Sequence, residues 1–525
     1  MKTSTTNQLL KALPLLLLSV FTLPVLAQQP SIQFFRPYDR HGVNVFETSK
    51  ADTVKFDGLK VRFGAGFTQG FQTLNHSNKA SAILPDGTTA TYIETSPGSG
   101  SFVNRATGAA VANLVRDPNV FGGYINSTNN KTFTNSNQLY QLAPGFPLAQ
   151  ANLNIDVQLA DGVSLNLVSY MSSHHHNEFW VKGGYLKVDK VGFLNSPFFD
   201  KLWKNLTLKV GHMEINYGDA HFRRSDGGNT MWNPWIENNI MDEFSTEIGA
   251  ELYWQKNGFL AMAGWTDGEI QGNVTKPNDR APSVYGKAGI DRQVNDDTRV
   301  RLTSSFLTTS SSVSNTLFGG DRTGSNYQYV MENNAATLTA NAFGGRFNPG
   351  FKDNLTTYMI NPFVKYRGLE FFGTWEYAYG NTAVENGEVQ YSNASGATLT
   401  RFNKLGNRQA HQTAAEALYR FGKNERFYVG ARYIKVTATV ALGQATTAAY
   451  ISQGTRFPVS IDRTSLGGGW YITNNILLKG EYVRQHYNGF PGDFTNTSTS
   501  AGYRDSSLLA GGQFSGFVVQ GCIAF

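Results

Sequence analysis

Period-two alternation of apolar and wettable side chains constrains this chain more than any other feature of its sequence. In LKVRFGAGFTQGF, Leu59, Val61, Phe63, Ala65, Phe67 and Phe71 share one face, while Lys60, Arg62, Gly64, Gly66, Thr68 and Gly70 share the other. Successive side chains of a strand point to opposite faces, so this segment reads as a β-strand with one apolar and one wet side. The same segregation returns in residues 152–159, 247–255, 299–306, 369–379 and 426–433. Two placements are less regular: 178–190 changes phase midway, and 456–470 loses it after Ile461. With these the chain holds about sixteen candidate strands, most near the roughly 9–11 residues that a tilted transmembrane strand needs.

The connections alternate as well. A stretch after Gln72, reaching to about residue 148, precedes a tight Asp161-Gly162 turn. Polar residues around Asn216–Ser245 precede Lys256-Asn257-Gly258, and 309–354 precede Arg367-Gly368. Residues 381–409 precede Gly422-Lys423-Asn424, and 441–455 precede Asn474-Asn475. Asp-Gly and Asn-Gly supply the positive φ angles of two-residue hairpins. The early chain departs from this parity, with a short connection near His174 and a long one at Val191–Lys204. Short turns on one rim and long loops on the other predict an all-β, up-and-down antiparallel transmembrane β-barrel of about 16 strands (16–18). A soluble sandwich would show neither that parity nor an apolar face on every strand.

Export is expected from the N-terminus. Lys2 and Lys11 precede the apolar run Leu13–Ala27, which ends in Val25-Leu26-Ala27 and contains two prolines. That pattern predicts a signal peptide over 1–27, cleaved near Ala27, and the run is short of the roughly 20 apolar residues of a spanning helix. Residues 28–58 are then a short N-terminal periplasmic segment and 59–525 the outer-membrane barrel, with a long first outer loop at about 73–148. No later stretch is apolar enough to cross a membrane as a helix. Removing Lys2 and Lys11 takes the formal charge from +6 to +4, too mild an excess to suggest nucleic acid. Cys522 is the one cysteine, which excludes an internal disulfide and any CxxC site.

The final segment, FVVQGCIAF, places Phe517, Val519, Gly521, Ile523 and Phe525 on one face. Phe517, Val519, Ile523 and Phe525 resemble the terminal strand by which outer-membrane barrels are recognised by the barrel-assembly machinery. Trp254, Trp265, Tyr358, Tyr366, Trp375, Tyr377, Tyr419, Tyr433 and Tyr482 fall on outward faces toward strand ends, where amphipathic rings suit headgroups.

The segments SIQFFRPYDRHGVNVFE (31–47), DGLKVRFGAGFTQGFQ (57–72) and LTLKVGHMEINYGDAHFRRSDGG (206–228), with the terminal strand, resemble porins related to the phosphate-selective porin O/P family. The likeness extends over the barrel in layout and is sharp only in those stretches. It implies a barrel of 16 to 18 strands, a homotrimer among its assemblies, and passage of small anions. The lumen arginines and constriction-loop lysines on which the family's selectivity rests do not align here residue by residue, so phosphate preference is not carried over.

Alternation places Lys60, Arg62, Lys209, Lys287, Arg299, Arg301, Lys365, Arg420, Arg426, Arg432 and Lys479 inward, together with Asp156, Glu247, Glu251, Asp291, Glu370, Glu376, Glu416 and Glu481. Charges in a narrow tube with low-dielectric walls bias ion entry. Such a mixed lining also serves cross-lumen pairing in any water-filled barrel, and both readings stand. Lys60, Arg62, Arg299, Arg301, Arg426, Arg432, Glu247 and Glu251 are the candidate pore-lining residues, with Arg299 and Arg301 foremost for selectivity. His174, His175 and His176 could offer imidazole to Zn or Cu, but neighbouring strand residues diverge, and a solvated loop explains them as well. Arg223-Arg224 is placed in an outer loop, contacting anions or lipopolysaccharide or simply solvated. No GxSxG, HExxH, P-loop or GxGxxG pattern offers a catalytic foothold, and no cofactor is implied.

The expectation is therefore an outer-membrane porin passing small hydrophilic solutes and ions, with outer-membrane lipid and lipopolysaccharide as surroundings. A substrate-specific facilitator for hydrophobic compounds or polysaccharide, and a barrel adhesin, are the alternatives. An energy-coupled receptor would need a plug far larger than residues 28–58.

Overall fold

In the computed structural model the described residues are 29–525, apart from 88–90, 106, 172–178, 226–229, 268–280, 311–314, 322, 338–339, 341–342, 383–384, 386–387, 394–395, 402–405, 442–455, 493 and 497–502. The expected signal peptide and His174–His176 lie outside them.

Sixteen antiparallel strands of the described residues close into a barrel. In chain order they are β1 (Lys60–Ser77), β2 (Gln150–Ala160), β3 (Val163–Met171), β4 (Trp180–Val188), β5 (Leu206–Glu214), β6 (Thr246–Lys256), β7 (Phe259–Thr266) and β8 (Ser283–Asn295). They continue with β9 (Thr298–Thr309), β10 (Asn354–Tyr366), β11 (Leu369–Asn381), β12 (Arg408–Phe421), β13 (Phe427–Ala441), β14 (Arg456–Tyr471), β15 (Ile476–Asn488) and β16 (Gln513–Ala524). Each strand pairs with its sequence neighbours, and β1 pairs with β16 from Gly66↔Ala524 to Ser77↔Gln513 to close the ring. Closure leaves no unpaired edge, which a bilayer core with no water demands.

The outward face is an apolar belt. Leu59, Phe63, Phe67, Leu252, Leu302, Phe306, Val429, Leu466, Phe517, Val519 and Ile523 are all exposed there. Near the short-turn rim Tyr419, Phe421, Phe427 and Trp470 stack in sequence at centroid spacings of 5.9, 5.6 and 6.0 Å. Rings at that height form the aromatic girdle of a transmembrane barrel. Asn257 (φ 52°) and Gly258 (φ 77°) both take the left-handed conformation, as the two-residue turn between β6 and β7 requires.

The two irregular segments have separate causes. In β4 the pairing with β3 jumps from Val168↔Gly183 to Ser169↔Val181, so Lys182 is the extra residue of a bulge. One added residue reverses the phase, which leaves both Val181 and Leu186 exposed. In β14 the alternation never fails. Val459 and Ile461 are buried on the inner face, beside an apolar core inside the barrel rather than beside water.

That inner core overturns the expectation of a uniformly polar lumen. Ala410, Ala414, Ile434, Val436, Val440, Ile461 and Val483 from β12–β15 pack with Ile236, Ile240 and Met241 from the β5–β6 connection and with Tyr327, Val330 and Met331 from the β9–β10 connection. Both connections fold inward. So does the N-terminal segment. Residues 29–58 do not hang below the barrel but enter it: Phe46 is buried against Phe363 and Phe372, and Tyr38 lies on Gly64 of β1. A Cβ at Gly64 would sit 2.2 Å from the Tyr38 ring, so glycine there makes room for the segment. The first long loop carries two small antiparallel meanders, spanning Ile83–Val111 and Leu114–Thr134, with their own core of Ala82, Leu84, Phe102, Leu114, Tyr124 and Phe133.

Candidate functional site: the lumen passage

Two carboxylates on the inward segments collect cations of the strands, and a third joins the two inward connections to each other. Asp219 accepts from both arms of Arg301 at 2.8 Å each, from Thr303 at 2.7 Å, and lies 3.1 Å from Lys287. Glu47 reaches Arg301 at 2.7 Å and Lys287 at 3.3 Å. Asp242 joins Arg224 and Arg346 at 2.6 Å each. A buried cation needs carboxylates or a set of carbonyls around it; the Asp219 and Glu47 clusters fix the inward segments to the wall, and Asp242 ties the β5–β6 connection to the β9–β10 connection. Burial alone would raise the Glu47 carboxyl, but Arg301 and Lys287 outweigh it and hold it at about 2.

Three other strand cations hold backbone carbonyls, and of these Arg432 also lies 3.7 Å from Glu481. Lys479 donates to the carbonyls of Thr230, Asn233 and Trp235 at 3.1, 2.9 and 2.7 Å. Arg432 donates to the Glu237 carbonyl at 2.8 Å and Arg463 to the Asn238 carbonyl at 2.8 Å. The 230–241 backbone forms no ladder, so its carbonyls need donors, and the wall supplies them. Arg223 and Arg224, expected in an outer loop, are buried here instead. Arg223 bridges Glu370 (2.8 Å) and Glu416 (3.2 Å).

Among the described residues, open space lies in more than one place. A cavity of about 290 Å³ runs between the N-terminal segment and the β2–β6 wall. Its charged lining comprises Arg36, Lys182, Lys187, Lys209 and Arg224 against Glu47, Asp156 and Glu214. Asp156 accepts from Tyr38 at 2.9 Å and from Asn166 at 2.7 Å. The Arg36 guanidinium stands 3.6 Å from the Trp232 ring centroid and donates to the carbonyls of Gly42 and Phe222. Burial lowers its pKa to about 9 against the pull of Glu214 and Glu47, so it stays a cation at neutral pH. Among the described residues Arg36 makes no ion pair. A second cavity, of about 590 Å³, opens at the short-turn mouth beside Arg40, Arg299, Lys365, Arg367 and Arg420, with Asp296, Asp297 and Glu425.

The eight expected pore-lining residues are dispersed by this arrangement. None borders the β2–β6 cavity. Arg301, Arg432, Glu247 and Glu251 are buried against the inward connections. Glu251 accepts from Tyr285 at 3.0 Å and from the Asn216 amide at 2.7 Å, which tethers the β5–β6 connection. Arg299 reaches the short-turn cavity but is held by Asp291 at 2.7 Å. Lys60 and Arg62 do face inward, onto the N-terminal segment: Lys60 donates to the Ser31 carbonyl at 3.2 Å, and Arg62 lies over Phe35 at 4.8 Å. Arg426 is a correction. It caps the Lys423–Glu425 turn, exposed outside the strands, because β13 starts only at Phe427. Of the cavity cations, Lys209 was readable from alternation, Lys182 was hidden by its bulge, and Arg36 sits in a segment with no period at all.

No family model matches this chain, and no curated protein matches it. Among solved structures it is similar to the anion-selective porin from Comamonas acidovorans, at 10% identity and a TM-score of 0.42, covering 89% of this chain and 100% of that one. It is also similar to OmpT of Vibrio cholerae (9% identity, TM-score 0.40, 90% and 99% covered) and to OprD of Pseudomonas aeruginosa (9%, 0.36, 89% and 97%). Likeness at this level says nothing about what this chain carries.

Proposed function

We propose that this chain is an outer-membrane porin whose passage is narrow, displaced to the β2–β6 side, and favours small hydrophilic anions. The supporting observation is the β2–β6 cavity, where Arg36 makes no ion pair among the described residues, while Lys182, Lys187, Lys209 and Arg224 are paired with Asp321, Asp189, Glu251 and Asp242 behind the lining. Potential in a tube with low-dielectric walls is focused by such an unpaired cation. The filled opposite side favours size and charge selection over general diffusion. A facilitator for hydrophobic compounds would want a lining without charges, whereas here eight charged side chains share it with Phe34, Phe35, Met213 and Trp232.

The reading includes export after removal of 1–27 and insertion by the assembly machinery through Phe517, Val519, Ile523 and Phe525. The last residue pairs back to β1, Phe525 N–H to Ala65 O and Ala65 N–H to Phe525 O, each at 3.0 Å, with its ring exposed outward. A homotrimer is the assembly that the porin O/P resemblance implies.

Planar-bilayer recording under a salt gradient tests the reading. Small ohmic steps with an anion-selective reversal potential are expected. A closed barrel, or a cation-selective one, would refute it.

A further inference from the structure

The rim opposite the long loops is made of short turns, except at residues 189–205 between β4 and β5. This connection carries a short helix, α1 (Pro197–Trp203), and an unusual load of uncovered apolar side chains. Phe193 is 61% exposed, Phe198 70%, and Leu194, Phe199 and Leu202 between 40% and 47%. Soluble surfaces rarely cluster such residues without a partner.

The connection is held in place rather than loose. Lys50 of the N-terminal segment donates to the carbonyls of Asp189 (2.7 Å) and Leu206 (2.6 Å), clamping both ends. Trp203 Nε1 donates to the Val188 carbonyl at 3.2 Å, and Val191 is buried. A seven-residue helix is marginal in water by itself, so these clamps fix its apolar side outward. Phe198, Phe199 and Leu202 fall at i, i+1 and i+4 on one side of α1, and Lys201 and Lys204 fall three apart on another, with the exposed Asp200 beside them. Apolar bulk on one flank and lysines on the other is the composition of a helix lying in a membrane interface.

Two observations choose the occupant. The connection leaves and rejoins the barrel where the outward belt ends: Leu186 is exposed just before it, and Leu206, just after it, pairs with exposed Trp254. The apolar patch therefore continues the lipid-facing surface. Lys201 and Lys204 complement anionic headgroup phosphates. We propose that residues 191–204 form an in-plane anchor in the leaflet on the short-turn side, with Phe193, Leu194, Phe198, Phe199 and Leu202 among the acyl chains and the two lysines at the phosphates. This inference does not depend on the transport reading.

The full chain, in a Cys522→Ala background, is spin-labelled at Phe198→Cys and reconstituted in vesicles of phosphatidylethanolamine and phosphatidylglycerol. Heat-modifiable gel mobility first verifies the barrel. Lys423→Cys on the exposed β12–β13 turn is the water reference, and Leu194→Cys is a second reporter should the first fail to fold. Collisions with oxygen should exceed those with a water-soluble nickel chelate at 198 and 194, and the order should reverse at 423. Nickel access at 198 and 194 equal to that at 423 would overturn the anchor. So would dipolar broadening that vanishes on dilution with unlabelled chain, since a second copy would then be the cover.

Discussion

The two halves of the barrel wall use the same alternation and end differently. On β12–β15 the inner face mixes apolar side chains with Arg432, Arg463 and Lys479 and with Gln412, Glu416 and Glu481, and it is sealed by the 230–241 and 325–331 stretches that lie on it. On β2–β6 the inner face holds Asn152, Asn154, Asp156, Lys182, Lys187 and Lys209, and open space lies against it. This face sets Leu165, Val168 and Met213 among its amides and lysines, and the N-terminal segment reaches across to it, where Lys187 donates to the Phe34 carbonyl at 3.0 Å. The inner faces thus decide where the connections settle, and the cavity is what they leave.

The largest effect should come from cutting the seal loose. Asp219→Ala would leave Arg301 and Lys287 buried, with Glu47 as their main remaining carboxylate. Removing one partner of a buried charge cluster costs about 3–5 kcal/mol. Urea unfolding in detergent should show a loss of that order, and single-channel conductance should rise as the β5–β6 connection lifts. Wild-type conductance in a folded variant would mean that the sealed half is not held by this cluster.

Acid should weaken the same seal with a defined sign. Glu47 is held at about 2, below its unfolded value of about 4.3. A depressed carboxylate contributes stability in full above its unfolded pKa and loses it as pH falls through the folded one. Conductance should be flat from pH 8 to about 5 and rise only between about pH 4 and about 2. Glu47→Gln should be open at every pH. A midpoint near neutrality would point to a different gate.

The fold was legible in the sequence because the outward faces answer to lipid, a uniform solvent that imposes one rule on every strand. The inner faces answer to local partners. Arg299 and Arg301 look equivalent by alternation, yet Arg301 is buried under Asp219 and Glu47 while Arg299 stays half-buried at the mouth. Nothing in the spacing of Asp219 or Glu47 marks them as lumen residues, since neither lies on a strand. Residues 28–58 read as a short periplasmic segment for the same reason: a non-repeating segment shows no period even when its Phe46 is buried.

A moderate effect is expected on the open half. Lys209 borders the cavity, 3.6 Å from Glu251. Glu251 keeps its bonds from Tyr253, Tyr285 and the Asn216 backbone N–H, so Lys209→Ala should still close its barrel, at a cost in stability for leaving that buried carboxylate without its cation. One charge about 8 Å from a permeating ion, at an effective dielectric of about 40–80, contributes roughly 0.5–1 kcal/mol, a factor of about two to five in anion weight. The reversal potential should shift toward cations by that ratio. No shift would move the passage away from β5.

The smallest effect belongs to the residue that alternation ranked first. Arg299 borders the short-turn cavity, where its guanidinium meets Asp291 through Nε at 2.9 Å and Nη2 at 2.7 Å and donates to the Asn44 carbonyl at 2.9 Å. A fork paired with a carboxylate presents little net field to an ion passing beyond it. Arg301 also touches Asp291 at 3.1 Å, so Arg299→Ala leaves that carboxylate one cation. Lys365, Arg367 and Arg420 stay in the mouth. Arg299→Ala should therefore change the anion-to-cation ratio by less than a factor of about two, under the gradient used for Lys209→Ala. A larger shift in Arg299→Ala than in Lys209→Ala would reverse the comparison: selection would then occur at the short-turn mouth, and the β2–β6 cavity would be only a conduit.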